Sequence, residues 1–215
     1  MKKIIAINGS PRKNFSTHEL LEHALAGAKS VGADVETELV NLYDLSFNGC
    51  TSCFGCKKTP SKDYCILRDE LTPLLQKISN CDGVIFGSPI YMDNVTFKIK
   101  GLLERMFYPR HTYDSKLDFS KRNIKTYFIY TMNKSKTEAN AKKYKWLFES
   151  IKERLESIFG LSDYLVVYET FQFDDYTKIC NDRFVVSERE DIRKNIFPKD
   201  CEKAYLQGKQ IVLSN

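Results

Sequence analysis

Short apolar runs alternate along the chain with segments in which apolar residues recur every three or four positions. Residues 4–7 and 84–86 are continuously apolar, which is typical of parallel strands buried on both faces of a sheet. Residues 35–42 alternate apolar and polar side chains and therefore predict a strand at the edge of that sheet. The segments between these runs have the periodicity of amphipathic helices.

The alternation of strands and helices predicts a doubly wound α/β domain, with a parallel sheet and helices on both faces. The predicted strands lie at residues 4–7, 35–42, 84–86, 126–132 and 164–168. The length of 215 residues suits five strands in the flavodoxin-like order 2-1-3-4-5. We expect residues 1–215 to form a single domain, with a cysteine-rich insertion at about 48–66 and a C-terminal helical extension from about 187.

Composition narrows the classes of protein that the chain can represent. Hydrophobic residues make up 42% and charged residues 28% of the chain, which are ordinary values for a soluble globular protein. No apolar run approaches the roughly 20 residues of a membrane span, and no signal-peptide pattern is present, so we expect a cytoplasmic protein. The net charge of +5 comes from scattered basic residues, so we expect no binding to nucleic acid.

The first predicted strand ends in the loop NGSPRKNFST, residues 8–17, which leads into a helix. Hydroxyl, amide and guanidinium groups at a helix N-terminus, together with the unpaired backbone N–H groups there, favour a bound phosphate. The candidate phosphate ligands are Ser10, Arg12, Asn14, Ser16 and Thr17. A second interpretation is that Ser16 and Glu19 form a capping box, which would compete for the same N–H groups.

A second loop, GSPIYMDN at residues 87–94, follows the third predicted strand. Its exposed Pro-Ile-Tyr-Met sequence is costly unless an apolar group covers it, and a flat heteroaromatic ring would do so. The alternative is that these residues only pack against the following helix. The ends of the first and third strands flank the point where strand order reverses, which is where open α/β sheets bind ligands. Together the loops predict a ligand with a phosphate at one end and a ring system at the other.

Three sequence features resemble the NADPH-dependent FMN reductase superfamily, which has a flavodoxin-like fold. They are NGSPRKNxxT near the N-terminus, GSPIYxxxVT after the third strand, and a cysteine run followed by an acidic helix start. The resemblance covers roughly residues 1–170 and implies FMN as the cofactor, with NADPH or NADH as co-substrate. Relatives often carry Gly-Asn where this chain has Phe15-Ser16, and glycines where it has residues 131–135.

The resemblance also implies a set of cofactor-binding residues. The FMN phosphate would lie on the candidate ligands of the first loop. The isoalloxazine would lie near Pro89, Ile90, Tyr91 and Met92, and Asp93 and Thr131 complete the cofactor-binding set. Electrons would pass from the nicotinamide through the flavin to a small acceptor such as a quinone, a nitro compound or free flavin. This chemistry needs no acid or base from the protein, so we assign no catalytic residue.

Four of the seven cysteines crowd into residues 50–65, namely Cys50, Cys53, Cys56 and Cys65. Two-residue gaps between thiols in a cytosolic protein indicate metal binding before a disulfide, and thiolates suit either iron–sulfur clusters or zinc. The pattern resembles the iron–sulfur flavoproteins of the same superfamily, which pass electrons between a [4Fe–4S] cluster and FMN. Their fourth cysteine usually comes sooner, so we leave a cluster, zinc, and free or reversibly oxidised thiols all open.

Three functional hypotheses follow. The first is an FMN-dependent oxidoreductase that uses NAD(P)H, and the second is an electron carrier with FMN, a [4Fe–4S] cluster and a protein partner. The third is a non-enzymatic regulator whose cysteines sense redox state or zinc. Relatives commonly dimerise near the flavin, and the aromatic residues at 107–113 leave apolar surface, so we expect a homodimer or homotetramer.

Overall fold

The computed structural model of the protein describes residues 1–58, 65–111, 113, 123–182 and 185–213. Its strands are β1 (Lys2–Asn8), β2 (Val35–Asn41), β3 (Gly83–Tyr91), β4 (Asn94–Val95), β5 (Lys125–Thr131) and β6 (Ser162–Val167). Five of them run parallel in the order β2-β1-β3-β5-β6, and β4 pairs antiparallel with β3. The fold is therefore the flavodoxin-like α/β architecture, with β2 at one edge.

The prediction of five strands is wrong in number, because the described residues form six. The third strand does not stop at Phe86 but continues to Tyr91, reverses through residues 92–93, and returns as β4. Pro89 is tolerated inside β3 because β1 ends before it. The last pair between β1 and β3 is Asn8 with Gly87, whereas Pro89 pairs only with Thr131 of β5, so no hydrogen bond to β1 is lost. The predicted second loop is thus mostly the end of a strand.

Eight α-helices are described. They are α1 (Ser16–Lys29), α2 (Gly55–Lys58), α3 (Thr72–Ser79), α4 (Phe97–Arg110), α5 (Lys136–Ala141), α6 (Tyr144–Phe159), α7 (Val186–Asp191) and α8 (Phe197–Leu213). A π-helical turn, Ile192–Ile196, joins α7 to α8. None of the described helices is both long enough and apolar enough to cross a membrane.

Two hydrophobic cores cover the two faces of the sheet. Alternate residues of β3 point to opposite faces, so Phe86 packs with α3, α4 and α6 while Ile85 packs with α1 and α8. β5 divides in the same way, with Phe128 on the first face and Ile129 on the second. The strands read as continuous apolar runs because both faces are covered.

Helices α1 and α8 approach each other through glycines. A Cβ atom at Gly208 would lie 1.8 Å from the carbonyl oxygen of Ala24, and one at Gly27 would lie 1.9 Å from that of Tyr205. Only glycine permits this backbone-to-backbone contact. The C-terminal helix is therefore fixed directly against the helix that begins at the first loop.

Candidate functional site

The carboxyl ends of β1 and β3 lie side by side where the strand order reverses. Asn8 pairs with Gly87, and the backbone N–H of Gly9 donates to the carbonyl of Gly87 at 2.8 Å. The fully buried Asn8 side chain accepts from the backbone N–H of Ser10 at 3.0 Å and donates to Asn41 at 2.9 Å. Asn8 therefore shapes the start of the loop, a role that the sequence analysis did not assign to it.

The N-terminus of α1 has no side-chain cap. The N-cap residue is Phe15, and the first intrahelical bond runs from the N–H of Glu19 to the carbonyl of Phe15 at 3.0 Å. The capping box of Ser16 and Glu19 is absent, because the Glu19 carboxylate instead accepts from Arg193 at 2.6 Å. The N–H groups of the first turn are left for another acceptor, which is the arrangement that binds anions.

Three of the predicted phosphate ligands are buried beside this helix end: Ser10, Ser16 and Thr17. The Ser10 hydroxyl accepts from the N–H of Arg12 at 3.2 Å, which leaves its own proton free to donate. The hydroxyl of Thr17 lies 2.8 Å from that of Thr131 at the end of β5. Thr131 is thereby brought to the first loop, as a ligand at a common site requires.

The other two predicted ligands of the first loop lie differently. The guanidinium of Arg12 donates to the carbonyl of Gln172 and stacks 3.9 Å from the ring centroid of Phe15. Asn14 is exposed. The contact with Gln172 brings the segment after β6 against the first loop, and no local sequence signal links two residues 160 positions apart.

The end of β3 and its turn present apolar side chains to solvent. Pro89 is buried and Ile90 half-buried, whereas Tyr91 is 39% and Met92 98% exposed. Met92 and Asp93 have positive φ angles of 45° and 64°, which is uncommon for residues other than glycine or asparagine. A strained turn that exposes a methionine is the kind of feature found at ligand sites.

Asp93 holds this turn to the start of α6. Its carboxylate accepts a hydrogen bond from the Tyr144 hydroxyl and lies 3.5 Å from the Lys142 ammonium group. The bond from Tyr144 lowers the pKa of Asp93, and burial together with Asp93 raises the pKa of Tyr144 to about 12. Tyr144 was missed by the sequence analysis, because the helical periodicity marks it only as a core position.

The features at this edge of the sheet fit FMN. The uncapped first turn of α1 and the buried hydroxyls suit a phosphate, and the exposed Tyr91 and Met92 suit a flat ring. The side-chain oxygen of Asn133, in the loop after β5, is buried without a hydrogen-bond partner among the described residues. An unsatisfied buried acceptor is costly unless a ligand donates to it.

The predicted cysteine insertion lies along α4. Its residues 59–64 are outside the described part of the chain. Cys56 and Cys65 are buried, Cys53 is exposed and Cys50 is intermediate. Burial raises the pKa of the Cys56 thiol. Smaller effects come from Lys57, which lowers this pKa, and from Cys65 and Cys50, which raise it.

The spacing of the four thiols is wider than a single zinc ion requires. Tetrahedral zinc–sulfur bonds of about 2.3 Å place the sulfur atoms about 3.8 Å apart. Among the described residues, the one set of three potential ligands within 4.8 Å of one another is Glu19, His23 and Cys201, not a set of the clustered cysteines. An iron–sulfur cluster, whose thiolates bind different iron atoms, tolerates the wider separation. The cavity between the cysteines is about 10 Å³, which is about the space that one water molecule needs. To hold an iron–sulfur cluster, the exposed middle of the segment would have to move outward.

The fold and the geometry of this edge define a flavodoxin-like nucleotide-binding protein. Residues 2–121 match the NADPH-dependent FMN reductase family, and because this match covers more than half of the chain, the chain belongs to that family. It is also similar to iron–sulfur flavoproteins. One from Methanocaldococcus jannaschii is 36% identical over 103 residues, covering 48% of this chain and 51% of that protein.

Two further curated relatives carry the same description. The iron–sulfur flavoprotein of Methanosarcina thermophila is 30% identical over 103 residues, covering 48% of this chain and 51% of its own length. The protein from Clostridioides difficile is 35% identical over 113 residues, covering 49% of each chain. The match therefore spans about half the length of the curated relatives.

Solved structures support the fold at low sequence identity. The chain is similar to an NAD(P)H:quinone oxidoreductase from Methanothermobacter marburgensis, with a TM-score of 0.70 at 13% identity over 98% of both chains. It is also similar to an azoreductase from Bacillus anthracis, with a TM-score of 0.67 at 15% identity over 98% of this chain and 100% of that one. These similarities confirm the flavodoxin-like architecture.

Proposed function

We propose that the protein is an FMN-dependent oxidoreductase that takes electrons from NADPH or NADH and passes them to a small acceptor. The observation that carries this proposal is the uncapped N-terminus of α1, with the buried hydroxyls of Ser10 and Thr17 beside it at the reversal of strand order. An anionic group satisfies these donors, and family membership identifies FMN as the molecule that supplies it.

FMN supplies the two-electron chemistry when it is bound, and the protein holds it in place. The backbone N–H groups of the first turn of α1 bind the phosphate, and the hydroxyls of Ser10, Ser16 and Thr17 donate to it. The turn formed by residues 89–93 supports the ring, and the bond from Tyr144 to Asp93 keeps that turn fixed. No side chain has to exchange a proton, so we assign none a catalytic role.

A flat nicotinamide ring can approach on the exposed side of this turn. We expect the exposed side chains of Tyr91, Met92 and Phe97 to form an apolar edge there, with Phe97 68% exposed. Tyr43 lies against the same edge, 5.6 Å from Phe97 between ring centroids. An edge of this kind suits planar acceptors such as quinones, nitroaromatic compounds and flavins, because their burial against it removes apolar surface from water.

The proposal is tested by purifying the protein, recording its visible spectrum, and measuring NADH and NADPH oxidation with a quinone, a nitro compound and free FMN. We expect two flavin bands, release of FMN on heating, and turnover with at least one acceptor. Colourless protein that takes up no added FMN would overturn the proposal and favour a regulator that senses redox state or zinc.

A second candidate is an iron–sulfur flavoprotein that carries electrons between FMN, a [4Fe–4S] cluster and a protein partner. The position of the cysteine segment favours this candidate, because the region of α4 contacts both the first loop and the cysteine segment. The Thr96 hydroxyl donates to the carbonyl of Gly9 at 2.7 Å, and Glu104 accepts from the N–H of Cys50 at 3.2 Å. The eight residues from Thr96 to Glu104 span about 12 Å of helix, so the two centres would be close enough for electron exchange.

Anaerobic purification with analysis of iron, sulfide and flavin distinguishes the two candidates. Broad absorption near the flavin bands, iron and sulfide in equal amounts, and slow turnover with nicotinamides support the electron carrier. FMN without iron after anaerobic reconstitution supports the oxidoreductase alone.

We further propose that the protein forms a homodimer or homotetramer. Trp146 is 75% exposed, and together with Phe107 and Leu147 it lines an open groove of about 540 Å³ between α4 and α6. Exposed aromatic residues around a groove are typical of interfaces. Sedimentation equilibrium tests this proposal, and a monomer at micromolar concentration would overturn it.

A further inference from the structure

Arg105 in α4 is the largest fully buried side chain among the described residues, with 0% of its surface exposed. A buried charge is stable only when it is paired and hydrogen-bonded. Nothing in the proposed flavin site uses this residue, which lies nine positions along the chain from Thr96, the residue of this region that bonds to the first loop. Its partners must therefore explain why a guanidinium occupies a core position.

The partners of Arg105 bracket the cysteine segment, residues 48–66. One terminal nitrogen donates to the carbonyl of Asn48 at 3.2 Å and to the carboxylate of Asp69, and the other donates to the carbonyl of Leu67 at 3.1 Å. Asn48 begins the segment, and Leu67 and Asp69 directly follow it. A single side chain thus fastens both ends of the segment to the same point on α4.

The residue before Arg105 adds a second contact to the same segment. The Glu104 carboxylate accepts from the N–H of Cys50, and it lies so close to Gly49 that a Cβ atom there would be 2.7 Å from it. Further along the segment, the Lys57 ammonium group donates to the carbonyls of Tyr108 and His111 at the end of α4. The ends are anchored, whereas Cys53 and Phe54 between them are exposed.

Arg105 also has an unused donor. Its Nε–H group is buried without a hydrogen-bond partner among the described residues. The side chains of Cys65 and Arg105 line the same small cavity. A guanidinium has five N–H donors in a fixed plane, so it can hold backbone carbonyls and still direct a donor at sulfur, which a lysine cannot do.

We propose that Arg105 is the positioning residue of the cysteine segment. It joins the two ends of the segment through Asn48, Leu67 and Asp69, and it donates to the Cys65 sulfur when the cysteines bind an iron–sulfur cluster. The first role stands on the contacts alone, and the second rests on the proposed electron-carrier function. Hydrogen bonds to ligand sulfur are among the factors that set cluster potentials.

The first role is tested in metal-free protein by measuring the alkylation rate of each cysteine with iodoacetamide and peptide mass spectrometry. Cys65 and Cys81 are each 7% exposed, so Cys81, which lies outside the segment, is an internal reference. In Arg105→Lys we expect Cys65 to react at least about tenfold faster than in the wild type, with Cys81 unchanged. The matched control is Arg189→Lys, which alters a buried arginine paired with Glu169.

If Arg105→Lys does not fold, Asp69→Asn removes the negative charge of one partner and leaves the arginine in place. A faster reaction of Cys65 alone again supports the inference. Equal acceleration of Cys65 and Cys81, or an unchanged rate at Cys65 in a folded variant, overturns it. These outcomes do not depend on whether the protein binds iron.

The second role is tested on reconstituted protein by redox titration of the cluster. Arg105→Gln removes a positive charge and a directed donor, so we expect a negative shift of the midpoint potential relative to the wild type, and a smaller shift in Arg105→Lys. An unchanged potential overturns the donation to Cys65. Wild-type protein that binds no iron removes the electron-carrier function and this role with it, while the alkylation result still decides the positioning role.

Discussion

The hydroxyl oxygens of Thr17 and Thr131 lie 2.8 Å apart in a buried contact between the start of α1 and the end of β5. One hydroxyl can donate only one proton, so one member of the pair donates to the other and the acceptor keeps a proton for a third group. We expect a bound phosphate to be this third group, because the uncapped helix N-terminus beside the pair favours an anion.

Replacing Thr17 by valine, together with Ser10→Ala, should release FMN. In the proposed site the Ser10 hydroxyl and the Thr17–Thr131 pair donate to a buried anion, and hydrogen bonds to charged groups contribute about 1.5–3 kcal/mol each. We expect the dissociation constant for FMN to rise at least about a hundredfold, measured by flavin fluorescence during titration of the apoprotein.

The control for this variant is Thr137→Val, which makes the same change at an exposed position in α5. It should bind FMN as tightly as the wild type. Unchanged affinity in the Thr17 and Ser10 double variant would contradict the assignment of the phosphate site.

Arg12→Ala should act mainly on the segment after β6. Because its guanidinium donates to the carbonyl of Gln172, its loss should speed amide hydrogen exchange in residues 171–176. We expect less than about a tenfold change in FMN affinity, because the Arg12 guanidinium is already bonded to Gln172 and stacked on Phe15. A loss larger than that of the Thr17 and Ser10 double variant would instead show that Arg12 turns to the phosphate when FMN binds.

The sequence predicts the features of this fold that depend on local pattern. Continuous apolar runs identified the parallel strands because both faces of the sheet are covered by helices. The positions of the two loops at the reversal of strand order followed from strand order alone. The turn after Tyr91 was not predicted, because Met92 and Asp93 adopt positive φ angles without the glycine or asparagine that usually signals them.

Contacts between distant residues explain the remaining differences. The Ser-x-x-Glu pattern occurs near the start of a helix at residues 16–19, 135–138 and 187–190, but only the second of these forms a capping box. Glu19 is drawn away by Arg193, which is 174 residues further along the chain. Pro198 lies in the first turn of α8, directly after the π-helical turn, where a proline is tolerated. Arg105 was missed because a helical stripe does not identify a buried cation.

The bond between Tyr144 and Asp93 should make the turn depend on pH. The pKa of Asp93 is lowered from its ordinary value of 3.8. Its stabilising contribution is therefore present above pH 3.8 and is lost as the pH falls through the lowered pKa of the folded protein. The pKa of Tyr144 is raised from 10.0 to about 12, so its contribution is present below 10.0 and is lost as the pH rises through about 12. The bond between Tyr144 and Asp93 therefore stabilises the turn fully between pH 3.8 and pH 10.0.

Comparison of the wild type with Tyr144→Phe isolates this effect from other titrating groups. We expect the wild type to be more resistant to urea at pH 5–9, and the difference to shrink in acid as Asp93 becomes protonated. Trp146, the one tryptophan of the chain, lies two residues from Tyr144 and reports the start of α6 by fluorescence. A difference that stays constant down to pH 2 would contradict the prediction.

Gly208→Ala should destabilise the protein strongly. The new methyl group would lie 1.8 Å from the carbonyl oxygen of Ala24, and a backbone atom cannot move aside as a side chain can. We expect a loss of about 3 kcal/mol in the free energy of unfolding and a melting temperature lower by about 10 °C. Gly32→Ala is the control, because its methyl group meets only the movable end of Asp34, so its effect should stay within about 0.5 kcal/mol.

Gly27→Ala should behave like Gly208→Ala, but the two losses should not add. Both methyl groups would force apart the same pair of helices, because Gly27 contacts Tyr205 of α8 and Gly208 contacts Ala24 of α1. Once the first substitution has separated the helices, the second meets less resistance, so the double variant should be at least about 1 kcal/mol more stable than the sum of the single losses predicts. Urea unfolding of the four proteins measures this coupling. Strict additivity would mean that each helix yields locally and that α1 and α8 do not move as rigid bodies.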